Sequence, residues 1–248
     1  MTGMTPRRYD VVSFDLGSTL VYLDPTRLAA LLASHGVETS LASLLTSEQA
    51  ACGVIDHPDL IAGRTSDELW CFFLDALLAG IGVPPGPWRR ALADLVEQEN
   101  EDHRLWAHVP PEVPPLLDRL LAAGYRLVVV SNGGGGVRSF LESRGLAGAF
   151  EVIVDSFLVG VEKPDPRIFA RALDPLGVPS ERVVHVGDFY HVDVVGAERA
   201  GLTGVLLDRS ATRGQGRCPS IRTLAEIETF LSLPNSGFSL QGTNPNSR

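Results

Sequence analysis

The stretch Asp10-Val-Val-Ser-Phe-Asp15-Leu-Gly-Ser-Thr19-Leu20 decides how the rest of the chain is read. A short apolar run rich in β-branched residues ends in a carboxylate, and the loop formers Gly17, Ser18 and Thr19 follow at once. This predicts a buried strand that delivers Asp15 to its carboxyl end. In an open parallel sheet that end is where ligands bind, so the placement is chemically loaded. Alone it is weak, because an Asp after a strand more often caps a turn or a helix. Its weight depends on partners supplied elsewhere.

The second half of the chain supplies the sheet. From Pro110 onward, strand and helix patterns alternate. Strands are predicted at Tyr125–Val130, Glu151–Val154, Arg182–Val186 and Gly204–Leu207, and helices at Glu112–Ala123, Val137–Arg144, Pro166–Leu176, Val192–Ala200 and Thr223–Leu231. Such alternation predicts an α/β fold with a doubly wound parallel sheet and helices on both faces. Residues 22–106 read differently. Arg27–His35, Ser40–Ala50, Leu69–Ala79 and Pro87–Asn100 are apolar at helical spacing, with Thr65-Ser66-Asp67-Glu68 as a capping segment, and no strand pattern interrupts them. An all-helical cap is therefore expected between the first and second strands of the sheet, with Trp70, Cys71, Phe72, Phe73 and Trp88 in its core. The expected division is 1–21 and 107–233 for the α/β core, 22–106 for the cap, and 234–248 for a mobile tail rich in Asn, Ser, Gly and Pro.

Composition narrows the function. A chain of 248 residues with 44% hydrophobic residues can bury a sizeable core. A formal net charge of −9 without a Lys/Arg cluster argues against a nucleic-acid surface. Cys52, Cys71 and Cys218 lack metal-ligand spacing and are read as reduced thiols. Asp10 and Asp15 interrupt the first apolar stretch, so no signal peptide is expected, and no run is long enough to span a bilayer. A cytoplasmic protein with no membrane partner is the expectation.

Further polar clusters sit at strand ends or before helices. Ser131-Asn132-Gly133 follows the strand ending at Val130, Gly187-Asp188 follows the strand ending at Val186 with Asp193 five residues beyond Asp188, and Lys163 precedes a helix in Gly160-Val-Glu-Lys163-Pro-Asp165-Pro. Each alone reads as a turn, a cap or a solvated surface group. Together they bring three carboxylates, an ammonium and a hydroxyl/amide pair to one sheet edge. Three converging carboxylates repel unless a cation sits among them, and an all-oxygen ligand set suits Mg²⁺.

The order Asp15-Leu-Gly-Ser-Thr19, Ser131-Asn132, Lys163-Pro164 and Gly187-Asp188-Phe-Tyr-His-Val-Asp193 resembles the four motifs of the haloacid dehalogenase superfamily, in its phosphatase branch with a helical cap. The likeness runs from about residue 10 to 232. The resemblance implies that Asp15 attacks phosphorus and forms an aspartyl-phosphate that water hydrolyses. It implies Mg²⁺ held by Asp15, Asp188, Asp193 and the backbone carbonyl of Gly17. Ser131, Asn132 and Lys163 would bind the phosphoryl group of a small phosphorylated metabolite, and Lys163 and Thr19 join Asp15 as catalytic residues.

The chain departs from that pattern where the family usually has a second Asp, two residues after the nucleophile, that protonates the leaving oxygen. Here the position is Gly17; Ser18 replaces the usual Gly, and Phe189 stands where Ser is common. General acid catalysis contributes roughly 10²–10⁴ in rate, so four readings follow. The first is a phosphatase for leaving groups needing little protonation, such as acyl or anomeric sugar phosphates, or one whose acid comes from the cap. The second is a 2-haloacid dehalogenase, which has no use for the Asp188/Asp193 pair. The third, a phosphonatase with a cap Lys, fails because residues 22–110 contain no Lys. The fourth is a binding or regulatory protein that has lost turnover. His57, Arg64, His103, Arg104, Trp106 and His191 are lesser candidates better read as structural. The run Gly133–Gly136 is open to two readings, a phosphate-approaching loop or a pliable connector.

Overall fold

The computed structural model describes residues 7–99, 105–210 and 216–232. Its centre is a six-stranded sheet built from β1 (Val11–Phe14), β4 (Arg126–Ser131), β5 (Val152–Asp155), β6 (Val183–Gly187), β7 (Thr203–Leu207) and β8 (Ser220–Ile221). The order is β5-β4-β1-β6-β7-β8 and every pairing is parallel. The chain builds outward from β1 on one side and then returns to build outward on the other. The crevice beyond the carboxyl end of β1 is thus the topological switch point, where ligands bind in such sheets.

The pleat sorts the core. Val12, Phe14, Leu127, Val129, Val184, Val186, Val205 and Leu207 face one layer, packing with α6 (Val113–Ala122), α7 (Val137–Ser143) and α11 (Glu226–Ser232). Val11, Val128, Val130 and Val183 face the other, against α9 (Pro166–Leu173) and α10 (Val195–Arg199). Each fully buried Val contributes about 1.5–3 kcal/mol relative to exposure, which fixes the register of these strands. The doubly wound parallel sheet expected from the sequence is present, with strand boundaries within one residue of the expected ones. The short strand β8 was not expected, since two residues are too few to show an alternation.

Residues 25–99 form helices only: α1 (Pro25–Ser34), α2 (Leu41–Ile55), α3 (Pro58–Ile61), α4 (Ser66–Gly80) and α5 (Pro87–Glu99). They close over Leu28, Leu32, Leu44, Cys52, Phe73, Leu77 and Leu92. The expected capping segment is real: Thr65 accepts from the Glu68 N–H while Glu68 accepts from Thr65 N–H. Two expectations need correcting. The stretch 22–106 is not free of strands at its ends, because β2 (Tyr22–Leu23) pairs antiparallel with β3 (Trp106–His108) and forms a ribbon where the chain leaves and re-enters the sheet domain. Of the aromatic cluster assigned to the cap core, only Phe73 is buried and Trp70 packs beside it, whereas Cys71, Phe72 and Trp88 are exposed. Adjacent positions in a helix point about 100° apart, so Trp70, Cys71, Phe72 and Phe73 cannot all face one core. The proposed tail, His103 and Arg104 lie outside the described residues.

Candidate active site

Asp15 follows β1, and its backbone N–H donates to the Val186 carbonyl at 2.8 Å, so the carboxylate is fixed against two strands. Asp188 follows β6. Asp193 lies in a single π-helical turn, Tyr190–Val194, that opens the segment expected as a plain helix. This turn swings Asp193 back under Gly187, where a Cβ would sit 2.2 Å from the Asp193 Cγ; only glycine allows that approach. The three aspartates are buried and offer oxygens within 4.8 Å of one another.

Lys163 arrives from the loop before α9. Its Nζ donates to Asp15 Oδ1 at 2.6 Å and to Asp193 Oδ1 at 2.7 Å. Asn132 fixes this loop: its Oδ1 accepts from the Lys163 N–H at 2.8 Å and its Nδ2 donates to the Lys163 carbonyl at 3.0 Å. The Asn132 side chain is thereby engaged at both ends with the Lys163 backbone, and it lines the crevice. Ser131, at the end of β4, lines the crevice. Thr19, in the loop after β1, is fully buried and is not among the residues that line the crevice. Gly17 lines the crevice beneath Trp106, whose indole a Cβ on Gly17 would touch at 3.5 Å.

The charges do not balance locally. Burial pushes the Asp15 carboxyl up to about 6, with Lys163 pulling it down and Asp193 adding repulsion. Burial also opposes charge on Asp193, but Lys163 and His185 outweigh it and hold that carboxyl below its ordinary range. Burial likewise opposes the Lys163 charge, yet its two carboxylate partners keep the ammonium protonated above its usual range. One ammonium serves two aspartates while Asp188 stands beside them. A divalent cation among these oxygens fits the donor set, which is all carboxylate, hard and net negative.

A second layer of polar contacts was not anticipated from the sequence. Ser13 and His185 are cross-strand neighbours in β1 and β6, with Ser13 Oγ 2.9 Å from His185 Nδ1 and His185 Nε2 3.5 Å from Asp193 Oδ1. Burial lowers the His185 pKa, so the ring is neutral at neutral pH, and the tautomer with its proton on Nε2 satisfies both partners. The available signal was a polar residue at an inward position in each of two adjacent apolar strands. The cap reaches the site loops at three points. Glu48 of α2 accepts from Ser18 Oγ at 3.5 Å and lies 3.8 Å from Arg209, Asp56 accepts from the N–H groups of Tyr190 and His191 at 2.6 and 2.9 Å, and Glu162 accepts from Ser66 at 2.9 Å. His191 thus has the packing role expected of it, Arg64 is held on the cap surface by the Asp59 and Leu60 carbonyls, and His57 caps α3. Trp106, read as structural, also lines the crevice.

A model of the haloacid dehalogenase-like hydrolase family matches residues 9–201. The chain belongs to that family. Its relatives include a glyceraldehyde 3-phosphate phosphatase of Methanopyrus kandleri, 36% identical over 137 residues, and a phosphoserine phosphatase of Thermus thermophilus, 36% identical over 138 residues. These alignments cover 54% and 55% of this chain and 58% and 53% of the relatives, so the chain spans little more than half their length. A glyceraldehyde 3-phosphate phosphatase of Pyrococcus abyssi is 29% identical with 79% of each chain covered. Among solved structures, a HAD phosphatase of Thermococcus onnurineus superposes with a TM-score of 0.58 at 26% identity, covering 90% of this chain and 98% of that one. The HAD-hydrolase YfnB of Bacillus subtilis shares the fold with a TM-score of 0.67 at 20% identity, covering 92% and 100%.

Proposed function

We propose that the chain is a Mg²⁺-dependent phosphomonoesterase acting on a small phosphorylated molecule through an aspartyl-phosphate on Asp15. The observation that carries this is Lys163 Nζ bridging Asp15 and Asp193 beside Asp188 at the switch point of the sheet. The phosphatase names of the relatives support it. Asp15, Asp188, Asp193 and the Gly17 carbonyl would hold the metal, which when bound screens the repulsion between the carboxylate and an anionic phosphate.

The rest is done by the chain. Lys163 fixes the orientation of the Asp15 carboxylate, and with two of its three N–H groups on aspartates it keeps one to donate to a phosphoryl oxygen. Ser131 supplies a hydroxyl donor at the mouth of β4. Asp15 attacks phosphorus, the leaving oxygen departs, and water then attacks the phosphorus of the acyl phosphate to restore the carboxylate. The cap covers the crevice and keeps bulk water and macromolecules from this step. Among the described residues no helix is long and apolar enough to cross a membrane.

A panel of phosphate esters, with and without EDTA, tests the reading beside Asp15→Asn. Metal-dependent phosphate release abolished in the variant is expected. Metal-independent halide release from 2-haloacids would point to dehalogenation instead, and Mg²⁺ binding without any turnover would point to a regulatory protein.

A further inference from the structure

The crevice between cap and sheet domain has a volume of about 510 Å³, enough for a leaving group the size of a substituted ring. Its lining includes six aromatic side chains, Trp70, Phe73, Trp106, Phe140, Phe157 and Phe189, among aliphatic and polar neighbours. Among the described residues that line it, Lys163 is the only cation, and its side chain is 1% exposed between two aspartates. The other charged groups are acidic. Asp67 and Glu162 stand at the wall, with Glu162 held by Ser66. A carboxylate on the leaving group would find no countercharge here and two like charges.

The position from which the family donates a proton offers none. Gly17 has no side chain, and the indole of Trp106 lies over it. A leaving oxygen on that side meets an aromatic face instead of an acid. Resting on the phosphomonoesterase reading, we infer that the crevice selects monophosphate esters of uncharged aromatic alcohols of the phenol type, whose oxygen departs without being protonated. In the first step the Asp15 oxygen–phosphorus bond forms as the bond from phosphorus to the phenolic oxygen breaks, and the electron pair leaves on a phenoxide. In the second, water adds to phosphorus, its proton passes to solvent, and phosphate and the Asp15 carboxylate are released. The aromatic side chains stack on the ring of the alcohol, while the acidic wall turns away esters whose leaving group carries an unpaired carboxylate.

The test is kcat/KM for the Mg²⁺-loaded chain on phenyl phosphates of graded phenol acidity, with benzyl phosphate, phosphoserine, para-carboxyphenyl phosphate and acetyl phosphate alongside. A steep dependence on phenol acidity is expected, with benzyl phosphate slower than phenyl phosphate by roughly a hundredfold or more, the span a missing general acid commands. The para-carboxyphenyl ester and phosphoserine should be worse than phenyl phosphate by about tenfold or more, with Asp67→Asn recovering part of the loss for the carboxyphenyl ester through KM. A flat dependence on acidity, equal rates for benzyl and phenyl esters, or an Asp67→Asn variant that turns a flat profile steep would overturn the inference, the last by making Asp67 the acid. Turnover of acetyl phosphate with no preference for aryl esters would sink this inference alone, whereas no turnover of any phosphate would sink the reading beneath it.

Discussion

At the scale of single residues, the site rests on how few positive charges face its carboxylates. Asp15 is a buried carboxyl group pushed up to about 6, so a proton competes for the oxygens that would face a cation. Binding of the proposed metal would displace that proton, so affinity should rise with pH until Asp15 is ionised. Titration calorimetry with Mg²⁺ should show a dissociation constant that tightens about tenfold per pH unit below about 6 and levels off above it, with proton release on the acid side. An affinity independent of pH from 5 to 7 would contradict this charge arrangement. Asp15, Lys163, Asp188 and Asp193 were legible in the sequence because strand ends and motif spacing announce them. Asn132 and Thr19 were legible as positions, but the sequence does not show that the Asn132 amide pairs with the Lys163 backbone or that Thr19 is fully buried. Ser13 and His185 went unread because an apolar strand pattern absorbs one polar residue without complaint.

At the scale of elements, helix α2 carries the clearest link between cap and sheet domain. Its Glu48 is 3% exposed, beside Ser18 of the loop after β1 and Arg209 of the loop after β7. Burial raises the Glu48 carboxyl more than Arg209 and the Ser18 hydroxyl lower it. A carboxyl raised in the folded state contributes stability that is full below its unfolded value, near the ordinary Glu range, and is lost as pH rises through the folded value. Glu48→Gln keeps the shape without the charge, so its melting temperature should gain on that of the parent chain by a few degrees between pH 4.5 and 7. A difference that stays constant, or shrinks, over that window would show that Arg209 outweighs burial. The strands and helices of the sheet domain were predictable because each face of the sheet must be apolar at period two and each helix at period 3.6. The ribbon of β2 and β3 was not, because two- and three-residue strands far apart in the chain leave no local pattern. The π-helical turn at Tyr190–Val194 was invisible for a different reason: it depends on Asp193 packing against the bare backbone of Gly187.

At the scale of the whole molecule, a doubly wound sheet holds Asp15, Lys163, Asp188 and Asp193 together and a helical layer covers them. Asp56, Glu162 and Glu48 all hydrogen-bond across the seam between the two, so the covering layer is tied to the loops that carry Ser18, Lys163 and Asp193. The crevice they enclose owes its aromatic wall to both parts, with Trp70 and Phe73 from above and Trp106 and Phe189 from the ribbon and the loop after β6. That wall could not be read in advance, because it forms only when residues far apart in sequence fold against one another. In the proposed reaction Asp15 itself carries the phosphoryl group. The direct measurement is acid quenching during turnover of acetyl phosphate with Mg²⁺, followed by mass spectrometry of the peptide containing Asp15. This peptide should gain the mass of one phosphoryl group, the gain should disappear with EDTA, and it should be absent in Asp15→Asn. Phosphate release in full with the Asp15 peptide never modified would contradict it.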